Sequence, residues 1–252
     1  PSRADGQPRQ VSFAGTGAQA LLAGDGPDPL IRAEFRHLKR AMLQSAFGPL
    51  AEPGSNIVAI TSPMPGAGKT FLSLNLAESL AMERDRTALL IDADETRASL
   101  SRALAVHGQP GLFDALHEQR ADLSACTYAS DRPGLEFVPA GGQFADSLEL
   151  LTSNRARDLF SRLAQADRNR LILLDCPPIL GTPNGGALAA LAGQVLLVVE
   201  AGANTSVMVE KSLELLNRDK PIGLVLNKLP RSGLLAAGTG GTYYYYYGPK
   251  DE

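Results

Sequence analysis

The stretch Thr61–Phe71, "TSPMPGAGKTF", decides the fold. It stands between the short β-branched run "NIVAITS" and the helix-like "GKTFLSLNLAESLAMER". A glycine-rich turn in that position lets backbone N–H groups curl around phosphate oxygens, and the helix N-terminus adds a positive dipole. Pro65, Gly66, Ala67, Gly68, Lys69, Thr70 and Phe71 are therefore the candidate nucleotide-binding residues. Lys69 reaches toward the β- and γ-phosphates, and the Thr70 hydroxyl is a Mg²⁺ ligand. The strict pattern G-x-x-x-x-G-K-T has glycine where this chain has Pro63, so the strand–loop–helix context carries the reading.

Outward from this loop, apolar runs alternate with helical patterns. "TALLIDAD", "LEFVPA", "RLILLDCPP", "QVLLVVEA" and "PIGLVLNK" read as further strands. "SNRARDLFSRLAQAD", "ALAALAG" and "TSVMVEKSLELLN" read as helices, and residues 112–127 as short helices. Continuous apolar strands separated by helices predict an α/β fold, a mostly parallel sheet with helices on both faces. This domain spans residues 50–230. Before it, Ile31, Phe35, Leu38, Met42 and Ala46 recur at helical spacing, with Pro29 suited to a first turn, so residues 28–49 form a helix and its stop. Residues 1–27, rich in Gly, Ala, Gln and Pro, read as a flexible arm, and residues 231–252 as a flexible tail.

Composition narrows the class. Hydrophobic content of 44% and charged content of 20% suit a globular chain with a sizeable core. A net charge of −3 argues against a nucleic-acid partner. Two cysteines, Cys126 and Cys176, make no disulfide framework and fit a reducing compartment. No apolar run approaches the ~20 residues that span a bilayer, and no signal peptide is visible.

Two strands end in acids: Asp92 and Asp94 after "ALLI", and Asp175 after "LILL". In a parallel sheet, ligands bind beyond the carboxyl ends of the strands, which brings these carboxylates beside the phosphate loop. Mg²⁺ usually takes one or two carboxylates with phosphate oxygens and water, so Thr70, Asp92 and Asp175 are the candidate metal ligands. Asn227, at the end of the last strand, offers an amide able to read an adenine edge; turn formation is the competing role. His37, His107 and His117 show no ligand spacing.

The chain closes on "GTYYYYYGPKDE", with Tyr243, Tyr244, Tyr245, Tyr246 and Tyr247 in a row. Taken with "TSPMPGAGKT", "LLIDADETRASL" and "LILLDCPP" in that order, the sequence resembles the bacterial tyrosine kinases, P-loop autokinases of capsule and exopolysaccharide export. "AEFRHLKRAMLQSAFG" further resembles the branch associated with exosortase loci. The resemblance covers residues 28–247. It implies a P-loop NTPase fold, ATP and Mg²⁺ as cofactors, and autophosphorylation of Tyr243–Tyr247. It also implies that Lys69, Asp92 and Asp94 are catalytic. The family's N-terminal helix motif appears here in shifted form as Glu34, Arg36, Lys39 and Arg40, implying an interface for a cyclic homo-oligomer. Implied partners are a transmembrane polysaccharide co-polymerase and a protein-tyrosine phosphatase. Implied placement is cytoplasmic, at the inner face of the membrane.

The sequence departs from that family in three places. Ala67 replaces a frequent Glu, Arg97 sits one place late in the second acidic motif, and that motif lacks its proline. The partitioning and division-site ATPases share the fold but carry a second lysine where this chain has Met64. A regulatory ATPase scaffold without kinase activity is the competing function. For a kinase, phosphoryl transfer needs positioning and charge neutralisation above all. Asp92 or Asp94 would accept the phenolic proton, since a tyrosine with pKa near ~10 is protonated at neutral pH. Fifteen residues from Lys228 to Tyr243 reach at most about 50 Å, far enough for a neighbouring subunit's site.

Overall fold

The structure, a computed structural model, describes residues 9–14, 29–118, 122–229 and the strand at 246–247. Tyr243, Tyr244 and Tyr245 lie outside the described residues. The strands are β1 (Gln10–Val11), β2 (Ile57–Thr61), β3 (Thr87–Asp92), β4 (Tyr128–Ser130), β5 (Leu135–Val138), β6 (Arg170–Asp175), β7 (Gln194–Glu200), β8 (Ile222–Asn227) and β9 (Tyr246–Tyr247). The helices are α1 (Pro29–Phe47), α2 (Lys69–Ala81), α3 (Ser99–Ala103), α4 (Leu112–His117), α5 (Ser147–Thr152), α6 (Asn154–Ala166), α7 (Pro183–Leu191) and α8 (Ser206–Glu214).

The strands form one sheet in the order β1-β4-β5-β3-β6-β2-β7-β8-β9. The six strands from β5 to β8 in that order are mutually parallel. Their residues alternate between two cores. Ile57, Ala59, Leu89, Ile91, Ile172 and Leu174 face one layer, which α4 to α8 cover. Val58, Ile60, Leu90, Leu171 and Leu173 face the other, under α1 and α2. A central strand buried on both faces has no use for polar alternation, which is why these strands read as unbroken apolar runs. Helix α2 is buried along nearly its whole length, from Leu72 to Leu80. It carries little one-sided character because it lies between the sheet and α1. Helices α6, α7 and α8 each start at a hydroxyl cap, Ser153, Thr182 and Thr205, which accepts a backbone N–H.

Three features differ from the sequence expectation. Residues 9–14, assigned to a flexible arm, contain β1, which pairs with β4 and buries Val11 and Phe13. Two apolar side chains and the Ser12 and Phe13 bonds to Asp131 offset the ordering of this short segment. Strand β4, just past the residues 112–127 read as short helices and not itself foreseen, runs antiparallel to β5, between it and β1. In the tail read as flexible, Tyr246–Tyr247 pairs with β8. Helix α1 begins at Pro29 as expected, and Phe35, Leu38 and Met42 seat it on α2.

Candidate active site

The loop Ser62–Gly68 leads from the carboxyl end of β2 into α2, with the ends of β6, β7 and β8 beside it through Asp175, Glu200 and Asn227. Gly66 and Gly68 have φ of 94° and 95°, the left-handed region that costs a side-chain-bearing residue about 1–2 kcal/mol. Gly68 also precedes α2 directly, and its carbonyl accepts the Leu72 N–H at 2.9 Å. The loop thereby turns its backbone into the helix N-terminus, a geometry suited to anions. Asn227, at the end of β8, donates from Nδ2 to the Ala67 carbonyl at 2.8 Å. Its amide nitrogen thus fastens the loop to the far side of the sheet.

Beneath the loop lies a polar chain. Thr70 Oγ1 donates to Asp175 Oδ2 at 2.8 Å. Ser73, one helical turn beyond Lys69, has its Oγ 3.0 Å from the Lys69 carbonyl and 3.1 Å from Asp175 Oδ1. Asp175 is 2% exposed and Lys69 7%. Burial raises Asp175 to about 6, opposed by the Lys69 ammonium and by the Thr70 and Ser73 hydroxyls. Asp92 follows at the end of β3, in register with Asp175 across the β3–β6 pair. Burial pushes Asp92 up to about 7, and the charge on Asp175 adds to the rise. Ser101 opposes it, donating to Asp92 Oδ2 from its N–H at 2.8 Å and its hydroxyl at 2.7 Å. The Asp94 N–H reaches Asp92 Oδ1 at 3.3 Å. Asp94 Oδ1 accepts the Arg97 N–H at 3.1 Å.

The structure brings together Lys69, Thr70, Asp92, Asp94, Asp175 and Asn227. Arg97 joins through its backbone. Lys39 is engaged within the chain, pairing with Glu83 at 2.6 Å and donating to the Ser79 carbonyl at 2.9 Å. Glu34, Arg36 and Arg40 are exposed on α1, on the side away from its buried face.

Sequence reasoning did not find Ser73, Ser101, Glu95, Glu200 or Lys228. Ser73 had a usable signal, since residues four apart share a helix face. Glu95 is buried beside Asp94, where its carboxylate accepts Asn184 Nδ2 at 3.2 Å and the Phe144 N–H at 3.4 Å. Glu200 closes the loop's outer side, pairing with Lys228 at 3.0 Å. Its other oxygen is the nearest atom to the space above Gly66.

Among the described residues, no group of three His, Cys, Asp or Glu side chains could hold a metal by itself. Mg²⁺ takes few protein carboxylates and completes its shell with water and phosphate oxygens. A hydroxyl and a carboxylate in contact at the head of α2 are a hard, oxygen-only donor pair of the right kind. No described helix is long and apolar enough to cross a membrane.

A P-loop beside strand-end carboxylates, on a parallel sheet covered on both faces, defines a P-loop NTPase-type domain. Residues 55–218 match the family model described as an AAA domain. The tyrosine-protein kinase ptk of Acinetobacter johnsonii is 33% identical over 199 residues, 77% of this chain and 26% of the relative. The succinoglycan biosynthesis transport protein ExoP of Rhizobium meliloti is 32% identical over 209 residues, 81% of this chain and 26% of the relative. The kinase domain of the Escherichia coli tyrosine kinase ETK superposes with a TM-score of 0.72 at 28% identity, covering 89% of this chain and 84% of that domain. At the level of fold alone, the septum site-determining protein MinD of Pyrococcus horikoshii, complexed with Mg-ADP, matches with a TM-score of 0.53 at 22% identity. It covers 71% of this chain and 76% of MinD. The chain belongs to the AAA-domain family and, within it, to the bacterial tyrosine kinases. It spans less than a third of the length of the curated relatives it matches.

Proposed function

We propose that this chain is a protein-tyrosine autokinase that moves the γ-phosphoryl of ATP onto the tyrosine cluster Tyr243–Tyr247 of another copy. The observation that carries this reading is the joined set Lys69, Thr70 and Asp175 at the head of α2, under a loop held by two left-handed glycines. The kinship to named tyrosine kinases supports it, as does an exposed Met64 where the partitioning ATPases carry a second lysine.

The loop N–H groups and Lys69 bind and orient the ATP phosphates. Thr70 and Asp175 would hold Mg²⁺, with Asp92 behind them, and the metal when bound neutralises phosphate charge. The tyrosine oxygen forms the new bond to γ-phosphorus as the bond to the β,γ-bridging oxygen breaks, releasing ADP. The phenolic proton goes to Asp94. Asp92 is fully buried and engaged by Ser101, whereas Asp94 retains 6% exposure. Asn227 keeps the loop in shape from the β8 side.

The exposed residues Glu34, Arg36 and Arg40 of α1 supply a contact between copies in a cyclic assembly, where one chain's tail meets its neighbour's site. Each phosphotyrosine adds about −1.5 to −2 charge, roughly −7 to −10 over the cluster. A tail so charged is repelled from the acidic site, and the assembly disperses until a phosphatase resets it. A transmembrane polysaccharide co-polymerase at the inner membrane face reads this cycle and couples it to exopolysaccharide export.

A mixing experiment tests the reading. Lys69→Met chains with intact tyrosines are incubated with active chains in which Tyr243–Tyr247 are all Phe. Phosphate on the Lys69→Met chain is the expected result. If wild type labels itself and the mixture does not, transfer is within one chain. If no phosphotyrosine forms with Mg-ATP at all, the chain is an ATPase scaffold instead.

A further inference from the structure

Strand β8 has two edges. One pairs with β7 along its whole length, from Ile222 opposite Val195 to Asn227 opposite Glu200. The other would be the margin of the sheet, and such an edge presents a row of N–H and C=O groups to any extended segment. The tyrosine tail occupies part of it. Tyr247 stands opposite Ile222 and Tyr246 opposite Gly223, antiparallel. Beyond Gly223, Leu224–Asn227 have no second strand beside them among the described residues.

The place of this pairing matters. It lies at the amino end of β8, whereas the phosphate loop is tied to the carboxyl end through Asn227. Gly223 and Asn227 stand four positions apart, about 13 Å along a strand. A tyrosine side chain, even laid wholly along the strand, spans only about half that distance. A reacting oxygen must come within about 3–3.5 Å of phosphorus. A tyrosine held at the amino end of β8 is therefore out of reach of its own chain's phosphate loop.

We propose that the outer edge of β8 is a resting site for this chain's own tyrosine tail, docked as an antiparallel strand with Tyr246 and Tyr247 withheld from the chain's own active site. The inference rests on reading the cluster as the phosphoacceptor. Three features favour the tail as occupant. Tyrosine has high strand propensity, and a run of them forms an extended segment readily. Gly223 brings no side chain to the pair, and an aromatic residue opposite is the arrangement that compensates an edge glycine. The tail is also tethered to the strand it covers, and a short tether gives an effective concentration in the ~mM range, above that of a second copy in dilute solution.

Hydrogen–deuterium exchange of the segment 221–228 tests this in Lys69→Met chains, which need no kinase activity, so failure of the kinase reading leaves the result interpretable. The full chain is compared with one ending at Gly241, which keeps every element from β1 to β8. Slower exchange in the full chain, equal at low and high protein concentration, is the expected result. Tyr246→Pro in the full chain, which removes an N–H and cannot continue a ladder, should exchange like the shortened chain. Identical exchange in the full and shortened chains overturns the proposal. Protection that appears only at high concentration also overturns it, because the tail would then pair with a second copy.

Discussion

Asp175→Asn should stabilise the metal-free protein at alkaline pH while abolishing phosphoryl transfer. Asp175 is buried at the end of β6, and its pKa rises from 3.8 to about 6, chiefly through burial. The native state thus binds this proton more tightly than the unfolded chain does. Below pH 4 both states are protonated and the residue adds no cost. Above pH 6 both are ionised, and folding carries the cost of burying the charge, about 3 kcal/mol at 1.36 kcal/mol per pH unit. Stability from this group is therefore lost as pH rises through that window. Asparagine fits the site: its oxygen accepts from Thr70 Oγ1, and its nitrogen donates to Ser73 Oγ while that hydroxyl donates to the Lys69 carbonyl. The variant also removes the charge that helps raise Asp92. Urea denaturation with a chelator at pH 4 and pH 8 is the assay. The variant should match wild type at pH 4 and exceed it by up to about 3 kcal/mol at pH 8, roughly 6–12 °C in Tm for a domain of this size. Mg-ATP should raise the wild-type Tm and leave the variant's nearly unchanged. A variant no more stable than wild type at pH 8, or a gain of the same size at both pH values, refutes the argument.

Gly68→Ala forces a side chain into φ of 95° and against the Asn227 amide, so both the loop and its tie to β8 are disturbed. Nucleotide affinity measured by titration should fall at least tenfold, and wild-type affinity would show that the loop does not need this conformation. Lys228→Met leaves Glu200 without its ammonium beside Gly66, weakening ATP binding by repulsion. Adding Glu200→Gln should restore binding; purely additive losses would separate the pair from the loop. Lys39→Met removes the α1 bond to the Ser79 carbonyl and the pair with Glu83, and should lower stability by about 1–3 kcal/mol in denaturant. An unchanged midpoint would return Lys39 to the interface role that the resemblance implied.

What the sequence determined by itself follows from local chemistry. A strand, a glycine-rich turn and a helix are contiguous in the chain, so "TSPMPGAGKTF" could be placed before any contact was known. The unbroken apolar runs ending in Asp92 and Asp175 announced strands covered on both faces, and the rule of carboxyl ends brought those acids to one side of the sheet. What only the tertiary structure decided depends on pairs distant in sequence. Ser101 meets Asp92 because α3 folds back over β3, and no spacing rule links the two. Lys39 and Arg40 are adjacent basic residues on α1, yet packing against α2 turns Lys39 inward to Glu83 and leaves Arg40 exposed. Glycine- and alanine-rich composition hid β1, whose order comes from burying Val11 and Phe13 beside β4. The tail carried no core pattern of its own. Its two-residue strand exists because β8 lies at the margin of the sheet, and which strand lies at the margin is a property of the assembled sheet.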